Sequence, residues 1–335
     1  MMHVAALAAA VAIGAGIASF VGAGALIPLL RRAAILDRPN ERSSHSVPTP
    51  RGGGIAVMAT LVPMWLIVAH YAPDSAWPSP VWPAAAAVLL AFVGWFDDLW
   101  SAPIAVRLTA QAVAVAIGLA TLPAHGTLLQ GLLPFWPDRA LTAFLWLGFL
   151  NIYNFMDGID GMAASESASL GIGFALVAAL TGLGTAPTLY GLTAAAAALG
   201  FLWWNWHPAR LFLGDVGSVP LGYLFGWLLI GLACQGLWAP AAILPLYYLA
   251  DGGLTLSFRI LRGTAFWRAH REHFYQRATQ GGLSHARAVA AVIGLDLVLI
   301  GSALWALRAA PWAPLAVAAV ATAALLAYFG RRRTG

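Results

Sequence analysis

The sequence predicts an all-α, polytopic integral membrane protein. Three observations carry this. The chain is 61% hydrophobic and only 9% charged, its mean hydropathy is +0.78, and apolar runs of about 20 residues recur along its length. Soluble domains carry about 25% charged residues, and in lipid the backbone polar groups must be satisfied within helices or closed barrels. Eleven spans are expected, at 4–30, 54–72, 81–96, 104–122, 140–156, 162–182, 187–204, 217–235, 239–258, 286–306 and 312–330. The first lacks a basic leader and reads as a retained helix. Together the spans form a single transmembrane domain, residues 1–335.

Charge fixes the expected orientation. All 18 basic residues are Arg, and with the N-terminus outside, sixteen of them fall on the inner side, leaving only Arg139 and Arg308 outside. Such a bias is the signature of inner loops facing anionic lipid, so the C-terminus is expected inside, in a bacterial cytoplasmic membrane. A pI near 9.8 does not imply nucleic acid here, because the net charge is only +5. The single Cys234 lies in an apolar run and offers neither a disulfide nor a cysteine metal site.

Against this apolar background, polar density is informative. Asn151-Ile-Tyr-Asn-Phe-Met-Asp-Gly-Ile-Asp-Gly161 holds two asparagines, two aspartates and two glycines at the end of the fifth span. Asp97-Asp98 closes the third span, and an adjacent carboxylate pair at a helix end needs water or a cation; Asp98 can pair with Arg107 at the start of the next. Asn154, Asp157 and Asp160 lie three apart, loosely along one helical face, or in a turn if Gly158 and Gly161 end the helix. Their oxygen atoms suit a hard ion such as Mg²⁺ that shares ligands with phosphates.

Gly214-Asp215-Val216-Gly217-Ser218 precedes the eighth span and offers free N–H groups and a metal-holding carboxylate. The last inner loop, 259–286, is basic and contains His270, Arg271, His273 and Arg277, a grouping suited to a diphosphate. The first inner loop carries His45, Arg51 and a Gly-rich turn. For each motif alone the bland reading, a solvated helix end, a cap or a lipid-facing patch, competes. Asp251 reads as a supporting residue that an ion pair with Arg259 would satisfy, and Asp296 as an intramembrane acid without a partner.

Taken in order, these motifs resemble the polyprenyl-phosphate N-acetylhexosamine-1-phosphate transferase family, glycosyltransferase family 4. Arg42-Ser43-Ser44-His45 with Pro48-Thr49-Pro50-Arg51-Gly52-Gly53 resembles its first loop, Asp97-Asp98 its acidic pair, and Asn151 to Gly161 its central signature. Gly214-Asp215 with Gly217-Ser218 resembles its metal-binding turn. The chain lacks the Lys-bearing first loop and the run of three histidines of the pentapeptide-translocase branch. His270-Arg271-Glu272-His273-Phe274-Tyr275-Gln276-Arg277 is more similar to the branch that primes O-antigen.

The resemblance implies a Mg²⁺-dependent enzyme, with Mn²⁺ as the alternative ion. It would transfer an N-acetylhexosamine 1-phosphate from a UDP-sugar to polyprenyl (undecaprenyl) phosphate and release UMP. It implies Asp215 and Asn154 as metal ligands, and Asp97, Asp98, Asp157, Asp160 and His270 as catalytic residues. Arg51, Arg107, Asn151, Arg271, His273, Arg277 and His45 would bind substrate. The site would form from cytoplasmic loops at about 31–53, 97–104, 205–216 and 259–286. A homodimer is left open. The rival readings are a multi-span transporter, whose acids should lie near the membrane midplane, and a prenyltransferase, which should carry two Asp-rich repeats.

Overall fold

A computed structural model describes residues 2–39, 47–72, 77–264 and 270–332. Thirteen helices and one two-stranded ribbon appear among them. Helix α1 runs Met2–Arg32, α2 Gly54–Tyr71, α3 Val81–Trp100, α4 Ile104–Thr121, α5 Phe135–Phe155, α6 Met162–Thr181 and α7 Thr185–Asn205. They are followed by α8 Asp215–Cys234, α9 Trp238–Ile243, α10 Leu246–Leu261, α11 Phe274–Gln280, α12 His285–Trp305 and α13 Trp312–Gly330. The ribbon pairs β1 (Leu36–Asp37) with β2 (Thr49–Pro50) antiparallel.

Nine of the described helices are long and apolar enough to cross a membrane. The two shortfalls from the expected eleven have physical causes. Helix α5 starts earlier than the sequence pattern indicates and carries Asp138 and Arg139 near its start and Asn151 and Asn154 near its end. The expected span 239–258 is not one helix. Pro245 has no N–H to donate, so the chain breaks into the short α9 and the longer α10.

Helix α8 is the axis of the molecule, buried over its whole apolar length. Glycines let neighbouring backbones reach it. A Cβ on Gly94 of α3 would lie 2.4 Å from the Asp215 carbonyl oxygen, and one on Gly54 of α2 would lie 2.3 Å from the Gly217 Cα. These close approaches bring the ends of α2 and α3 to the N-terminus of α8. Around the rest of α8 the core is aromatic: Trp146 stacks on Tyr223 at 5.0 Å between centroids, and its indole N–H donates to the Tyr223 carbonyl. At the other end of α5, the buried Asp138 accepts from the N–H groups of Leu128 and Leu129, tying down the loop before it. Asp296 of α12 is buried, and neither of its carboxyl oxygens has a hydrogen-bond partner among the described residues.

Candidate functional site

The segment preceding α2 positions the first site residue. Phe212 donates its N–H to the Pro50 carbonyl at 2.9 Å, and the N–H groups of Gly52 and Gly53 return to the Phe212 carbonyl at 3.1 and 2.8 Å. This lacing sets Arg51 beside the start of α8. Its Nη2 lies 2.7 Å from Asp98 Oδ1 and 2.9 Å from Asp215 Oδ1. Burial works against the Arg51 charge, but Asp98 and Asp215 more than offset it, so the guanidinium holds its proton more firmly than usual.

The adjacent acids of α3 have different tasks. Asp98 has no exposed side-chain surface, and its two oxygens accept the N–H groups of Asp215 and Val216, each at 3.1 Å. It therefore caps α8, whose own first residue is Asp215. Gly214 has φ +76°, and a Cβ there would lie 2.5 Å from Asp98 Oδ2. Only glycine fits both the backbone and the cap. Asp97 instead pairs with Arg107 at 2.8 Å and accepts the Ala102 N–H at 2.6 Å. The expected Asp98–Arg107 pair is thus corrected: Arg107 belongs to Asp97, because Asp98 is turned toward α8.

Asp97, Arg107, Asn151, Asn154, Asp215, His270 and His273 all line one cavity of about 880 Å³. Apart from Gln111 the rest of its lining is largely apolar, with Leu90 and Val93 of α3, Leu108 of α4, Phe144 and Leu147 of α5, and Leu256 and Ile260 of α10. Asn151 is oriented by a reciprocal amide pair with Gln111, at 2.9 and 3.3 Å. The Asp215 carboxyl meets that of Asp97 and the amide of Asn154. Two carboxylates and an asparagine amide lining one cavity are a donor set of the kind that suits a hard cation, so these residues fit Mg²⁺.

Helix α5 ends at Phe155, so Asp157 and Asp160 lie in the following turn and not on a continued helical face. Asp157 stands outside the cavity lining. Burial, opposed by Arg51 but reinforced by Asp215 and Asp98, pushes its carboxyl up to about 7. Asp160 points to a separate group. His207 Nδ1 is 2.6 Å and His285 Nδ1 3.4 Å from its Oδ2. Burial raises the Asp160 pKa, but the two histidines outweigh it and hold the carboxyl below the usual range.

The histidine loop is organised by Asp251 of α10, which is fully buried. Asp251 accepts the N–H groups of Phe274 and Tyr275 at 3.0 and 3.2 Å, capping α11, and its Oδ1 sits 3.1 Å from His273 Nδ1. The ion pair expected between Asp251 and Arg259 is replaced by an Arg259–Glu272 contact. His273 Nε2 has no partner among the described residues and belongs to the cavity wall. Its ring stacks with that of His270 at 5.0 Å. Burial, His273 and nearby arginines push His270 down to about 4. Tyr275 Oη donates to the Phe155 carbonyl at 3.1 Å, docking the loop on the end of α5. Arg277 lies over the Phe274 ring at 5.4 Å, and the Arg271 carbonyl accepts from Gln280. Neither arginine lines the cavity. His45 lies outside the described residues.

Residues 81–233, which hold the acidic pair, the Asn/Asp turn and Asp215, match the family described as glycosyl transferase family 4. A phospho-N-acetylmuramoyl-pentapeptide-transferase of Synechococcus sp. (strain JA-2-3B'a(2-13)) is 34% identical over 313 residues, spanning 82% of this chain and 85% of the relative. The chain belongs to glycosyl transferase family 4. It is also 28% identical to a probable undecaprenyl-phosphate N-acetylglucosaminyl 1-phosphate transferase of Bacillus subtilis (strain 168), across 86% of this chain and 82% of the relative. A decaprenyl-phosphate N-acetylglucosaminephosphotransferase of Mycobacterium leprae (strain TN) is 26% identical, across 88% and 83%. The enzyme is a phosphoglycosyltransferase of the membrane. It transfers a sugar 1-phosphate from a UDP-sugar to a polyprenyl phosphate.

Sequence reasoning did not single out Gln111, His207 or His285. Gln111 is a lone amide in an apolar helix, a weak signal by itself. The two histidines sit at helix ends remote in sequence, and only folding shows that they share Asp160.

Proposed function

We propose that the cavity between α3, α4, α5 and α10 receives the polyprenyl phosphate, chain along the apolar wall and phosphate at Asp97 and Arg107. The donor diphosphate lies between that point and His270 and His273. The observation that carries this is one cavity lined both by apolar side chains of α3, α4, α5 and α10 and by Asp97, Arg107, Asn151, Asn154, Asp215, His270 and His273. Asp215 and Asn154, with Asp97 beside them, would hold Mg²⁺. Bound there, the ion would neutralise diphosphate charge and polarise the sugar-linked phosphorus.

The residues of the chain do the rest. A phosphate monoester has a second pKa of about 6, so the attacking oxygen is mostly deprotonated already. Arg107 steadies that phosphate and Asp97 accepts the residual proton. The oxygen attacks the sugar-linked phosphorus, the bond to the UMP phosphate breaks, and UMP departs with the electron pair. His270 is neutral at pH 7 and His273 presents Nε2, so both offer hydrogen bonds to the diphosphate of the bound donor without repelling a cation. Arg271 and Arg277 supply positive charge at the rim. Asp98 has no exposed oxygen to form an aspartyl-phosphate, which favours direct attack. Asp98 and Arg51 instead hold Asp215 in place, and Asp157 and Asp160 support the wall from the following turn.

The arginine distribution supports eleven crossings in total, with α5 and the α9–α10 pair completing the set, the N-terminus outside and the site facing the cytoplasm. The His270–Arg277 pattern supports a UDP-N-acetylhexosamine donor and a place at the start of O-antigen assembly. The test is UMP release by purified protein given Mg²⁺, undecaprenyl phosphate and a panel of UDP-sugars. Release with one N-acetylhexosamine donor bears the reading out. Release with none of them ends it.

A further inference from the structure

The second polar cluster, around Asp160, lies outside the cavity lining. It draws on three segments far apart in sequence: the turn after α5, the residues after α7, and the first residue of α12. Asp160, His207 and His285 each present one donor atom, and the three atoms lie within 4.8 Å of one another. The two imidazole Nδ1 atoms stand 2.6 and 3.4 Å from Asp160 Oδ2. In a tetrahedral zinc site with bonds of about 2.0–2.1 Å, donor atoms are separated by roughly 3.3 Å, so little movement is needed.

The frame around the cluster is built. Asn205 accepts the Gly161 N–H at 3.0 Å, fixing the turn, and the Ala209 N–H reaches Asp160 Oδ2 at 3.1 Å. His285 Nδ1 is buried, yet makes no hydrogen bond of normal geometry among the described residues. Its nearest partner is Asp160 Oδ2 at 3.4 Å, a loose contact that a shared cation would replace. His207 is 40% exposed on its side chain, leaving an open side for a fourth, solvent ligand and for entry.

We propose that Asp160, His207 and His285 bind a divalent transition ion of the zinc class at a site separate from the Asp215 centre. Two imidazoles and a carboxylate favour zinc-like ions, whereas the oxygen-only set at Asp215, Asn154 and Asp97 favours Mg²⁺. The ion would clamp the turn carrying Asp157 to the ends of α7 and α12.

The test uses the full-length protein in detergent, stripped with a chelator and dialysed against Zn²⁺ in excess Mg²⁺, with metal counted by elemental analysis. Binding of about one Zn²⁺ per chain that Mg²⁺ does not displace is expected. His207→Gln and His285→Gln should each weaken it at least about tenfold. His207 is exposed enough that its variant tests binding without a packing change. Co²⁺ loaded in place of Zn²⁺ should give a visible tetrahedral absorption that both variants lose. Absence of tight Zn²⁺ binding by the unmodified chain would overturn the proposal and leave a hydrogen-bonded Asp–His cluster. Equal binding by the double histidine variant would overturn it too, placing the ion elsewhere.

Discussion

Asp97 and Asp98 are neighbours, and replacing each by Asn should damage the enzyme in opposite ways. Asp98 is wholly buried; it holds Arg51 at 2.7 Å and accepts two α8 N–H groups at 3.1 Å. An asparagine side chain in its place would keep one acceptor oxygen and turn an NH₂ toward the other N–H. The lost charge-assisted hydrogen bond is worth about 1.5–3 kcal/mol. Losing the Arg51 pair adds less than the roughly 3–5 kcal/mol of a fully buried pair, because Arg51 is a third exposed and keeps Asp215. We expect about 2–4 kcal/mol of destabilisation for Asp98→Asn. Asp97→Asn keeps the Ala102 hydrogen bond and loses only a partly exposed ion pair, worth about 0–1 kcal/mol. Its turnover should fall about 100-fold, the low end for general acid–base groups, since most of the lipid phosphate needs no base. Thermal inactivation in detergent and UMP release, measured on both variants, separate the two roles. Equal destabilisation by both changes, or an Asp98→Asn protein of native stability that is simply inactive, would refute the division.

Other expectations follow from the same geometry. Asp251→Asn should cost about 1 kcal/mol through the α11 cap and lower kcat about tenfold by releasing His273, with KM changing less; steady-state kinetics beside thermal melts would show the split. His270 is held at about 4 against an ordinary 6.5, so its neutral form is favoured on folding. That contribution to stability is complete above pH 6.5 and is lost as pH falls toward 4. A diphosphate favours the imidazolium, so UDP binding at pH 5.5 should take up a fraction of a proton. Calorimetry in two buffers would detect it, and His270→Gln should abolish it. Gly94→Ala would place a methyl 2.4 Å from the Asp215 carbonyl oxygen. Overpacking of about 1–3 kcal/mol should follow, with UMP release falling further than stability because Asp215 itself is displaced.

What the sequence made legible is the membrane class and the family. Charged and amide residues are so sparse here that each cluster stands out. Pair assignments were less legible, for a reason seen in Asp97 and Asp98. Adjacent residues on a helix point about 100° apart, so which of them meets Arg107 depends on where α8 lies. Spacing along the chain carries no such information. Pro245 marked a break within an apolar stretch, yet hydropathy averages over it and reads a single span. His207 and His285 were silent because their shared partner, Asp160, had already been read as part of the Asn151–Gly161 motif.

That motif is better understood as a divider than as a site. Asn154, at the end of α5, faces the cavity with Asp215; Asp160, past the helix end, faces away to the two histidines. Asp157, between them, feels the charges of both sides. Gly161 has φ +79° and so permits the reversal that turns Asp160 from the cavity. The polar density that marks the stretch arises because two differently built groups of polar side chains share it. The two should respond to different perturbations: excess Mg²⁺ should act on the Asn154 side, and histidine substitution on the Asp160 side.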